Sequence, residues 1–134
     1  MGVKQPSKNK SARLKDPPEP TKKSDKEHLT VSLRYLRPSH CISLCDAGEI
    51  TSFVDKLRIL TAKSWMELTM LPRHGLGYEK IARSALNVAV PAHVTDDVSI
   101  IAFRFAGLKP MVGYKDGETF HILWFDRAFD VYPH

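Results

Sequence analysis

The residue types best suited to proton and phosphate chemistry gather in the last third of this sequence. Tyr132 and His134 stand two positions apart, so an extended backbone puts both on one side. A histidine titrates near neutrality and can pass protons, and a tyrosine can donate a hydrogen bond or stack on a base. Asp126 and Asp130 precede them. Arg104 interrupts the run "IAFRFA", where alternation puts it on a face with Ile100 and Ala102, opposite Ile101, Phe103 and Phe105. A guanidinium so placed either snorkels to a carboxylate such as Asp126 or Glu118, or clamps a phosphate or carboxylate. His74 follows Arg73 in "PRHGLG", a loop that either approaches a ligand or is simply solvated. His121, inside an apolar run, reads more readily as a hydrogen-bonded core residue than as a catalyst. His40, Cys41 and Cys45 are three soft donors within six residues. A zinc site needs a fourth, which nothing nearby supplies, so the expectation is half-buried thiols and no metal or other cofactor.

These side chains need elements to hold them. "LTVSLRYL" alternates Leu29, Val31, Leu33 and Tyr35 against Thr30, Ser32 and Arg34, the period of a half-buried strand that Pro38 ends. Asp46, with Glu49 three residues on, predicts a capped helix start. Ile50, Phe53, Val54, Leu57 and Leu60 then form a helical stripe, continued by Trp65 and Leu68 beyond a kink at Ser64. "LPRHGLG" breaks it, and "YEKIARSAL" predicts a short second helix with Ile81, Ala85 and Leu86 inward. "NVAVPAHVTDD" reads as loop. A meander follows: "VSIIAFRFA", "MVGYK" and "TFHILWFD", the last two joined by the Asp-Gly of "KDGE". The third strand is apolar on both faces, as a central, covered strand should be. Trp65 and Trp124 belong to the core. The expected class is α+β, a strand, two helices and a three-stranded antiparallel meander in one domain over residues 28–134.

The chain of 134 residues carries a net charge of +5, unevenly spread. Residues 1–27 hold eight Lys/Arg against four Asp/Glu and few large apolar groups, which predicts a disordered basic tail. That tail either touches phosphates or merely solubilises. Residues 28–134 hold twelve basic against eleven acidic side chains, so any nucleic-acid site there has to be a local cluster. No apolar run is long enough to cross a membrane, and none follows the basic start as a secretory signal requires. The expectation is a cytoplasmic protein that does not engage membranes.

The order of elements, together with "FRFAGLKPMVGYKDGETFHILWFDRAFDVYPH", resembles the RelE/YoeB/HigB superfamily of small bacterial and phage toxins, the ribosome-associated mRNA interferases. The likeness in topology covers about residues 29–134, and that in sequence about residues 103–134. It implies a RelE-like domain that cleaves RNA without a metal. In that chemistry a ribose 2′-OH attacks the adjacent phosphate, with acid–base groups and cations assisting. Arg104 matches the strand arginine of the family, and Tyr132 and His134 match its closing pair. Glu67 or His74 would supply a base. Arg73, Lys109, Lys115 and Arg127 would contact RNA. RNA or the ribosome, and an antitoxin protein, would be the partners. The near-neutral body and the long apolar sheet point instead to a second reading, a non-catalytic module of phage or mobile-element origin that binds a protein or nucleic acid.

Overall fold

The computed structural model describes residues 23–73 and 75–134. A five-stranded sheet runs in the order β1-β5-β4-β3-β2, with β1 Thr30–Ser32, β2 Tyr78–Ile81, β3 Ile100–Ala106, β4 Lys109–Asp116 and β5 Thr119–Phe125. Strands β2 to β5 pair antiparallel, while β1 lies parallel to β5 with Val31 beside Phe120. The α+β class therefore holds, with a mixed sheet of one strand more than expected. The strand "TFHILWFD" lies inside the sheet, between β1 and β4, as its two apolar faces require. Gly117 turns the β4–β5 hairpin at φ 61°, a conformation that glycine adopts without steric cost.

The extra strand is β2, where the spacing predicts a second helix. Tyr78 pairs with Phe103 and Ile81 with Ile100. The Tyr78 ring packs against Trp65 and Phe103, at centroid distances of 5.8 and 5.2 Å. Pairing with a long neighbouring strand outweighs the weak helical spacing of Ile81, Ala85 and Leu86, of which only a 3-10 turn at Arg83–Ala85 remains. Residues 82–99 then run irregularly over the sheet. Arg83 holds them by donating to the carbonyls of Val94, Thr95 and Val98.

The predicted single, kinked helix is two helices. Helix α2, Ala47–Leu60, starts at the expected capping box: Asp46 accepts from the Glu49 amide and Glu49 from the Asp46 amide, at 2.7 and 2.8 Å. Helix α3, Trp65–Thr69, has its own box at Ser64 and Glu67. Of the segment expected as a disordered tail, residues 1–22 lie outside the described residues. Lys23–Lys26 form a helical turn, α1, whose Asp25 pairs with Lys115 at 3.5 Å.

Both faces of the sheet are covered. Helices α2 and α3 bury Phe53, Leu60, Trp65 and Leu68 against Ile101, Phe103, Phe105 and Phe120. On the other face Ile100, Ala102, Val112, Leu123 and Trp124 pack under Val94 from the irregular segment and under Val131 and Tyr132. The register slips between Val112 and Gly113, so consecutive Leu123 and Trp124 face one way while Ile122 and Phe125 face the helices.

Glu49, buried on α2, also pairs with Lys109 at the start of β4 and ties the helix to the sheet. The Lys109 ammonium, followed by the Asp46 amide, holds the Glu49 carboxyl below its ordinary value of 4.5. A carboxyl depressed on folding stabilises the fold above its unfolded pKa, and that contribution disappears as pH falls through the folded value. Glu49→Gln is expected to flatten the dependence of the urea midpoint on pH below 4.5. An unchanged slope would show that this pair does not set the acid response.

Candidate functional site

Four of the side chains singled out in the sequence, Arg73, Arg104, Tyr132 and His134, line one cleft. Arg104 lies near the end of β3 opposite Pro110, on the face away from the helices. The segment after β5 folds back across that face, burying Val131 and Tyr132 and bringing His134 to the same place. Arg104, Tyr132 and His134, with Arg73, Glu79, Leu108 and Phe129, enclose a cleft of about 320 Å³.

Asp126 holds the returning segment. Its carboxylate is fully buried. One oxygen accepts from the Asp130 amide at 2.7 Å; the other accepts from the Val131 amide at 3.1 Å and lies 3.2 Å from His134 Nε2. With Nε2–H donating to the carboxylate, the neutral ring carries its lone pair on Nδ1. Phe129 meets the imidazole edge-on at 4.8 Å and Tyr132 packs against it at 4.2 Å. Phe129 adopts φ 59°, a left-handed conformation rare outside glycine, and the contacts around Asp126 and His134 hold it there.

Tyr132 donates to Glu79 Oε1 at 3.3 Å, and Arg73 reaches Glu79 Oε2 at 2.6 Å. Burial first, then the Glu79 charge, pushes the Tyr132 phenol far above its ordinary range. Tyr132 therefore stays protonated at neutral pH and works as a fixed hydrogen-bond donor, a poor general acid or base. Among the described residues His134 is the one imidazole that lines the cleft. The Arg104 charge is felt beyond it: the Lys56 ammonium on α2 is lowered, first by burial and then by Arg104. Arg104, Arg73 on its Glu79 partner and an oriented imidazole form a set able to hold an anion and accept a proton beside it.

Other expected residues lie elsewhere. Glu67 is engaged in the α3 capping box and does not line the cleft. His74 lies outside the described residues. Lys109 is paired with Glu49, and Lys115 lies over the Trp65 ring at 5.2 Å beside Asp25. Arg127 is exposed on the turn after β5. Of the four expected RNA contacts only Arg73 lines the cleft. Glu118 is in the turn at the far end of the β4–β5 hairpin from Arg104. His121 is half-buried and stacked on Tyr114 at 5.0 Å, with Nδ1 buried and lacking a hydrogen-bond partner among the described residues. Cys41 and Cys45 do not join His40: Cys41 caps a 3-10 turn, Cys45 is buried in the helix-side core, and His40 meets Asp130.

The sequence reading missed Glu79 and the role of Asp126. Glu79 falls in the stretch read as helix; read as a strand, "YEKI" puts Glu79 and Ile81 on the cleft side. Comparison with protein-family models, with curated proteins and with solved structures finds no match to this chain.

Proposed function

We propose that the cleft between β3 and the segment after β5 binds an RNA phosphodiester and cleaves it by metal-independent transesterification, as RelE/YoeB/HigB-like toxins do. The supporting observation is the convergence of Arg73, Arg104, Tyr132 and His134 on one cleft, with His134 oriented by the buried Asp126. Arg104 and Arg73 would neutralise the phosphate and the charge that grows on it in the transition state. His134 Nδ1 would take the 2′-OH proton as that oxygen attacks phosphorus. Asp126 would stabilise the imidazolium so formed, and Tyr132, which donates its one hydrogen to Glu79, would hold the His134 ring in place. Water would protonate the departing 5′-oxygen, leaving a 2′,3′-cyclic phosphate and a 5′-hydroxyl. Messenger RNA on the ribosome is the substrate that the family likeness suggests.

The test is cleavage of mRNA in a reconstituted translation reaction, mapped by primer extension, with free RNA alongside. Arg104→Ala and His134→Ala are each expected to slow cleavage by roughly 100-fold or more while the thermal midpoint shows a folded domain. If both variants cut as fast as the wild type, the site is wrongly placed.

A second reading, a non-catalytic interaction module, is favoured by one observation. Leu44, Ile50 and Val54 on and beside α2 are exposed, at 50, 38 and 54%. Stoichiometric capture of a partner by a well-folded chain that never cuts RNA would favour it.

A further inference from the structure

A second cluster, around His40 and Asp130, shares Asp126 with the acid–base set. His40 closes the 3-10 turn Pro38–His40, and Asp126 and Asp130 flank the turn after β5. One donor atom from each lies within 4.8 Å of the other two. His40 Nε2 and Asp130 Oδ1 are 2.9 Å apart. Two ligands about 2.1 Å from one ion, at angles between octahedral and tetrahedral, stand about 3.0–3.4 Å apart. The observed 2.9 Å contact is a direct hydrogen bond between the two side chains, which an ion shared by both would replace at nearly the same spacing.

We propose that His40, Asp126 and Asp130 form a binding site for a divalent transition-metal ion, zinc or cobalt by their donor chemistry. The outer contacts suit the task. Ser39 Oγ lies 2.8 Å from His40 Nδ1 and can accept its hydrogen, which frees Nε2 to ligate. The Asp126 carboxylate is fully buried and fixed by two backbone amides. Its Oδ1 accepts the Asp130 amide, while Oδ2 serves Val131 and His134. Two carboxylates balance a doubly charged ion. The imidazole favours zinc or cobalt over magnesium, which prefers oxygen and retains its waters. The Asp130 side chain is 62% exposed, giving access from solvent and leaving room for a water as fourth ligand. The ion would tie the turn before α2 to the segment that closes the cleft. It shares Asp126 with the cleavage site proposed above, but that cleavage needs no metal.

The test is titration of the full chain, stripped with chelator, with cobalt(II), following its visible ligand-field bands, then displacing it with zinc in a calorimeter. One equivalent with intense low-symmetry bands is expected. Those bands should vanish in His40→Gln and Asp130→Asn, whose near-ultraviolet circular dichroism checks the fold. They should persist in Cys41→Ser and His134→Gln, and Ser39→Ala should weaken binding roughly 10-fold. The proposal is overturned if wild type gives no saturable band, if His40→Gln binds as tightly as wild type, or if the bands carry thiolate charge transfer and vanish in Cys41→Ser. Because RNA cleavage is not the readout, failure here leaves the cleavage reading standing, and an inactive cleft leaves this site standing.

Discussion

Asp126→Ala is expected to destabilise the domain by about 3–5 kcal/mol, the cost of removing one partner from a buried, charged hydrogen-bond set. The carboxylate is fully buried, and two backbone amides and His134 depend on it. Its removal leaves the amides of Asp130 and Val131 without an acceptor beneath the buried side chains of Val131 and Tyr132. The segment should then lift from the sheet and expose Trp124. Equilibrium urea unfolding measures the loss, and hydrogen exchange locates it, with fast exchange expected at Asp130 and Val131 first. Asp126→Asn keeps one oxygen acceptor and should fall between alanine and the wild type. A loss below about 1 kcal/mol for alanine would mean that water replaces the carboxylate and that the segment is held by its apolar contacts alone.

Gly113→Ala is expected to cost about 3 kcal/mol or more, and to disturb the sheet where Asp126→Ala disturbs its cover. A Cβ on Gly113 would stand 1.9 Å from the His121 carbonyl oxygen and 3.0 Å from Ile122 Cα. Both obstacles are backbone, so no rotamer change relieves the clash. Residue 113 lies at the slipped register of β4 and β5, where the β5 backbone stands close against it. The addition must therefore push the two interior strands apart. A drop in the urea midpoint together with lost protection of β5 amides would confirm this. A variant as stable as the wild type would show that the bulge can migrate along the hairpin.

Much of this architecture was legible where the signal is local. Asp46 and Glu49 announce a capping box by spacing alone, and the Asp-Gly of the β4–β5 turn announces a hairpin. The two apolar faces of "TFHILWFD" announce an interior strand. What escaped depends on distant partners. Strand β2 is four residues long and is decided by Phe103 and Trp65, neither near it in sequence. The parallel partner of β1 lies at the other end of the chain. The slipped register, which lets Leu123 and Trp124 face the same side, leaves no trace in alternation. In the cleft, Arg104, Tyr132 and His134 could be named because their types are unusual in their settings. Glu79 could not, because its stretch was read with the wrong period. Asp126 could be named but not assigned, because its role is toward backbone amides that carry no sequence signature.

The pairing of β1 with β5 has a consequence for how the chain comes to be folded. Thr30 bonds Thr119 across a separation of 89 residues. During synthesis β1 leaves the ribosome long before β5, and until then no other strand of the sheet takes its place. Helices α2 and α3 can form early from their own capping boxes, but Phe53, Leu60, Trp65 and Leu68 have no sheet to cover until the hairpins emerge. Contacts this far apart in sequence slow the search for the native state, because a large loop must close before they form. The nascent chain thus carries an uncovered apolar helix pair from the completion of α3 until β3 to β5 follow, the interval in which a chaperone has most to hold.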